Sequence, residues 1–68
     1  MSGTFKLVTL VGTSPDSYEQ AIKNAVRDAS ASLRNLSWFE VLELRGRVAD
    51  GAVAEFQAKL QAGFKVDS

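Results

Sequence analysis

The chain carries few side chains able to do chemistry, and their types narrow its function. Histidine and cysteine are both absent. That removes the usual proton shuttle, the usual thiolate nucleophile and the commonest transition-metal ligands, so a zinc site is not expected. Ser14 and Ser30 have no evident base to activate them. Glu40 and Glu43 are close in sequence, but three apart on a regular strand they point to opposite faces, a poor arrangement for paired carboxylates. Gly12-Thr13-Ser14 lacks the spaced glycines and the lysine of a phosphate loop. A turn followed by a helix cap is the simpler reading of it. An enzyme is therefore not expected, and binding is the better class to pursue.

For binding, the candidates are Trp38, Gln57, Arg45 and Lys65. Trp38 is the only tryptophan and stands beside Phe39. Large aromatics are enriched in cores and at subunit interfaces, which on residue type alone is the better reading. The alternative is a stacking platform, since a flat indole suits a flat conjugated ligand. Covering an aromatic side chain removes ~150–250 Å² from water, worth up to roughly 4–6 kcal/mol at ~25 cal/mol/Å². Gln57 offers a donor and an acceptor side by side, although in isolation it reads as a solvated strand residue. Arg45 and Arg47 flank Gly46 and are expected to pair with Glu40, Glu43 or Glu55 rather than with a phosphate. Lys65 reads as a solvated charge that could help hold an anion if an oligomer axis gathers several copies.

The elements that must position these residues follow from the apolar pattern. Phe5 to Val11 reads as a strand stopping at Gly12 and buried on both faces for part of its length. Ser14, Pro15 and Asp16 form a helix start, with Ser14 as cap and Pro15 at the first helical position. Tyr18, Ala21, Ile22, Ala25, Val26, Ala29 and Leu33 then make one apolar stripe on a helix of about five turns. The stripe is alanine-rich, so the helix can lie close to its partner. From Trp38 to Arg45 the pattern alternates imperfectly. Trp38, Glu40, Leu42 and Leu44 would share one face, and Phe39, Val41, Glu43 and Arg45 the other. Neither face is cleanly polar, which points to contacts beyond one subunit. Asp50-Gly51 is a strong hairpin turn. The last strand alternates most clearly, with Ala52, Ala54, Phe56, Ala58, Leu60, Ala62, Phe64 and Val66 facing the helix.

The chain therefore reads as a single α+β domain spanning residues 1–68, ordered β-α-β-β, with a three-stranded antiparallel sheet wrapped around one helix. At 68 residues it buries only about 60% of the surface its unfolded chain exposes, which makes it marginal alone. Without cysteines to cross-link it, self-association is the expected source of extra burial. Eight basic and eight acidic residues balance to zero net charge. Such a surface has no polycationic footprint for nucleic acid. No apolar run approaches the ~20 residues of a membrane span, and Met1-Ser2-Gly3-Thr4 has no leader pattern. A cytoplasmic location is the expectation.

Taken together, Val11-Gly12-Thr13-Ser14, Trp38-Phe39-Glu40-Val41, Arg45-Gly46, Asp50-Gly51, Phe56-Gln57 and Gly63-Phe64 resemble the dodecins, a family of small flavin-binding proteins. The resemblance covers nearly the whole chain. It implies a hollow homododecamer of cubic symmetry that binds FMN, riboflavin or related flavins at two-fold contacts, with ring systems stacked between tryptophans of neighbouring subunits. Trp38 matches that tryptophan, and Gln57 matches the glutamine on the pyrimidine edge of the flavin. Arg45 matches an arginine near the flavin in bacterial members. Those members can also hold coenzyme A near three-fold axes. Lys65 stands where close relatives often have arginine, keeping the charge but losing the planar bidentate fork. The implied function is flavin storage with quenching of flavin photochemistry. The alternative is a structural oligomer without a flavin.

Overall fold

The computed structural model describes residues 3–66. Met1 and Ser2, read above for a leader, lie outside the described residues. The chain runs β1 (Phe5–Ser14), α1 (Tyr18–Ser30), β2 (Leu36–Ala49) and β3 (Ala52–Lys65). The sheet is antiparallel with β3 in the middle, in the order β1-β3-β2. This is the expected α+β, β-α-β-β architecture.

β1 does not stop at Gly12. It continues to Ser14, pairing Gly12, Thr13 and Ser14 with Ala58, Gln57 and Phe56. The missing side chain at Gly12 serves packing instead. A Cβ there would sit 2.0 Å from the Ala21 carbonyl oxygen and 2.7 Å from Ala25 Cβ, so glycine lets α1 settle onto the strand. Only one face of β1 is covered. Gly12 and Ser14 are buried, while Phe5, Leu7 and Val11 on the opposite face are 43–52% exposed. The expectation of burial on both faces is not met within one protomer, because one helix can cover only one side of the sheet.

The helix starts later and ends sooner than its apolar stripe suggests. Ser17 is the cap, accepting the Gln20 N–H at 3.0 Å. Ser14 instead accepts the Asp16 N–H at 2.9 Å, which leaves Pro15 in the turn before the helix. At the other end, Ala31 caps α1 after 13 residues, between three and four turns at about 3.6 residues per turn. Leu33 lies beyond it. Its N–H still reaches the Ala29 carbonyl at 2.8 Å. The chain then reverses through Asn35, whose φ of 63° is left-handed and cannot continue a helix.

The core lies between α1 and the β1–β3 pair. Ala21, Ala25 and Ala29 from the helix meet Ala58, Leu60 and Ala62 from β3, all at most 6% exposed. Tyr18 closes one end by packing edge-on to Phe56, with ring centroids 5.0 Å apart. Ion pairs such as Lys23–Glu19 at 3.1 Å stay on the solvent side of the helix. The Asp50-Gly51 turn has positive φ at both residues, 53° and 77°, as a two-residue hairpin loop requires.

β2 departs from simple alternation. Val41 pairs with Leu60 and Glu43 with Lys59, so Leu42 is an extra residue without a partner. This β-bulge inverts the phase of the residues after it as far as Arg47, where a further register shift follows. Trp38, Glu40, Glu43 and Arg45 consequently share the outer face, away from the helix. Phe39, Val41 and Leu44 share the inner one. The sequence-based face assignment is thus corrected from Leu42 onward, and Glu40 and Glu43 lie on the same face rather than on opposite ones.

Candidate functional site

The outer face of the sheet is built from three rows. β1 contributes Phe5, Leu7, Thr9, Val11 and Thr13. β3 contributes Glu55, Gln57, Lys59, Gln61 and Gly63, and β2 the set given above. None of the four elements lies over this face.

Trp38 sits opposite Gly63, and this pairing explains both residues. A Cβ on residue 63 would come within 2.3 Å of the indole Cε2 and 2.8 Å of its Nε1. Only glycine lets the ring lie directly against the backbone of the central strand. Phe5 flanks it from the far strand, with centroids 6.5 Å apart and planes tilted 55°. Trp38 remains 43% exposed. A core role is therefore excluded within the protomer, which leaves stacking and interface roles. The indole is presented as a rigid, open apolar plate.

Gln57 sits at the other end of the same face. It pairs with Thr13 on one side and Arg45 on the other. Arg45 Nε donates to Gln57 Oε1 at 3.0 Å, and Gln57 Nε2 donates to Glu55 Oε1 at 2.8 Å. Arg45 lies 3.6 Å from Glu43, and Arg47 lies 3.9 Å from Glu55. The expected ion pairs of both arginines thus form, and they enclose the Gln57 amide within a connected polar cluster. Lys65 is exposed and lines a hollow shared with Lys6 and Arg34.

The bulge brings Arg45 onto the face of Gln57 and Trp38, but the three do not converge within one chain. From Gly63 to Gln57 is six positions along β3, about 20 Å at ~3.3 Å per residue. The sequence reading missed Gly63 as the seat of the indole, Phe5 as its neighbour and Glu55 as a partner of Gln57. A glycine on the polar side of an otherwise regular strand was the available signal for the first. The spacing of two between Glu55 and Gln57 was the signal for the last. Among the described residues no three His, Cys, Asp or Glu side chains gather as a metal site, and no helix is long and apolar enough to cross a membrane.

This small α+β module carries, on a bare sheet face, an open tryptophan and an amide hydrogen-bonded to two charged neighbours. The dodecin family model matches residues 4–67, and the chain belongs to the dodecin family. It is 43% identical over 67 residues to the dodecin of Thermus thermophilus, covering 98% of this chain and 97% of that one. The solved dodecin of Streptomyces coelicolor superposes with a TM-score of 0.95 at 48% identity, over 100% of this chain and 99% of the other. A more distant relative, the calcium dodecin of Mycobacterium tuberculosis, is 32% identical over 62 residues, 91% of this chain and 87% of its own.

Proposed function

We propose that this chain binds and stores flavin, FMN or riboflavin, in a homododecamer, and that it catalyses no turnover. The observation that carries this reading is Trp38, held open over Gly63 on the same face as Gln57. A tricyclic ring cannot span the distance between the two within one protomer. The site is therefore completed by Trp38 of one copy and Gln57 of another. Trp38 stacks on the isoalloxazine, and its electron-rich indole quenches the excited flavin by electron donation. Gln57 pairs with the pyrimidine edge, and Arg45 stands beside it. Ligand and partner copies would also cover the apolar side chains that the protomer leaves bare, Phe5, Leu7 and Val11 among them.

Coenzyme A is a second, weaker ligand of this proposal, held through Lys65 near a three-fold axis without the bidentate grip of an arginine. The protein works in the cytoplasm, and nucleic acid and membranes are not its partners.

The test is a flavin fluorescence titration of the apo-protein with FMN and riboflavin, repeated on Trp38→Ala. Steep quenching that saturates near one flavin per subunit, and a large loss of affinity in the variant, are expected. No quenching by a folded, assembled protein would overturn the reading. The exposed Trp38–Phe5 pair also favours a second reading, in which the tryptophan only anchors a subunit interface. In that case Trp38→Ala dissociates the assembly and no flavin binds, which size measurement with and without flavin decides.

A further inference from the structure

We infer that Glu55 is a positioning residue for ligand recognition: together with Arg45 it locks the Gln57 amide in one of its two orientations. The inference rests on the flavin reading for its ligand, and on geometry alone for the lock.

A glutamine amide can be turned over with little change of shape, exchanging its oxygen and nitrogen. At Gln57 the neighbours allow only one choice. Arg45 is a pure donor and Glu55, as a carboxylate, a pure acceptor. The observed pose sets Oε1 toward Arg45 at 3.0 Å and Nε2 toward Glu55 at 2.8 Å. The turned-over pose would set an NH₂ against a guanidinium and a carbonyl oxygen against a carboxylate. Both contacts would then be repulsive.

The lock leaves capacity for a ligand. Oε1 has two lone pairs and Nε2 two hydrogens, and one of each is used within the chain. What remains is one acceptor and one donor in a fixed order. That is the complement of an imide edge, which offers an N–H beside a carbonyl. An amide free to turn over would present this order only part of the time. Glu55 has Arg47 3.9 Å away and a side chain only 30% exposed. It needs no contact with the ligand to act.

The experiment compares the wild-type protein with Glu55→Ala and Glu55→Gln, using riboflavin and a riboflavin methylated on the imide nitrogen as probes. Glu55→Ala is expected to weaken riboflavin about tenfold, the worth of one hydrogen bond to a charged group. The methylated probe lacks the imide N–H and keeps only the carbonyl, so it is expected to lose less. Glu55→Gln retains an acceptor oxygen and is expected to restore most of the riboflavin affinity. In the flavin-free protein, the side-chain amide resonances of Gln57 are expected to move in Glu55→Ala and to stay near their wild-type positions in Glu55→Gln. Equal loss for both probes, or no loss for either, would overturn the assignment. So would amide resonances that do not move. If the wild-type protein binds neither probe, the flavin reading fails, and the resonances alone decide whether Glu55 orients the amide.

Discussion

The two faces of the sheet are made from the same three strands and serve opposite ends. On the inner face Ala58, Leu60 and Ala62 are sealed under α1 with no measurable exposure. On the outer face Phe5, Leu7, Val11 and Trp38 are 43–52% exposed, interleaved with charged and amide groups. The inner face folds the chain, because its small side chains let helix and sheet approach closely. The outer face has no covering element, so its apolar surface is available to something outside the protomer. The contrast also runs through the two glycines. Gly12 makes room for the backbone of α1, whereas Gly63 makes room for a side chain that stays open to solvent. Burial is concentrated on one side, and the proposed function places recognition on the other.

That separation can be broken or sharpened by substitution. Leu60→Ala is expected to have the largest effect, about 2–5 kcal/mol of lost stability, since it opens a cavity under α1. Denaturant titration would show it, and any change in flavin binding should follow only from lost folding. Trp38→Ala is expected to do the reverse. It should cost about 2–4 kcal/mol of flavin affinity through lost aromatic burial, with the circular dichroism of the fold unchanged. Gly63→Ala should fall between the faces. The added methyl displaces the indole from the strand, costing about 1–3 kcal/mol as overpacking. The change should appear in riboflavin affinity and Trp38 emission more than in melting temperature. Arg47→Ala should be the smallest, within about 0.5 kcal/mol in thermal melts, because its pairing with Glu55 is long and solvated. If Leu60→Ala and Trp38→Ala changed stability and affinity alike, the division of labour between the faces would be wrong.

Much of the inner face was legible in the sequence because alanine and leucine recur there at regular spacing. The element order and the helix-facing half of β3 follow from that pattern, and the hairpin turn from Asp50-Gly51. The helix ends were less legible. Ser14, expected to be the cap, belongs to the end of β1, and Ser17 three residues on caps α1 instead. At the C-terminal end, Leu33 keeps the apolar spacing after the backbone has left the helix. On the outer face, residue types drew attention to Trp38, Gln57 and Arg45, but alternation set Trp38 and Arg45 on opposite sides. The bulge was hidden because Val41-Leu42 and Leu42-Glu43 are equally acceptable pairs of strand neighbours. Which of these residues goes unpaired is decided by the register against β3. Glu55 was legible only as an ion-pair partner for the arginines, because a lone carboxylate on a strand gives no sign that it orients a neighbouring amide.

The unpaired Leu42 gives β2 something like a reading frame. Between Trp38 and Arg45 the chain advances seven residues while β3 advances six from Gly63 to Gln57, and the unpaired Leu42 absorbs the odd one. Loss of that one residue would leave a regular strand with both side chains still on the outer face, opposite the same partners. An insertion, or a second deletion, has no such slack and would act as a structural frameshift. The strand would still pair, yet its tryptophan or its arginine would be out of step with Gly63 or Gln57. Lineages of this chain can therefore vary the composition of β2 more freely than its length, the bulge residue apart.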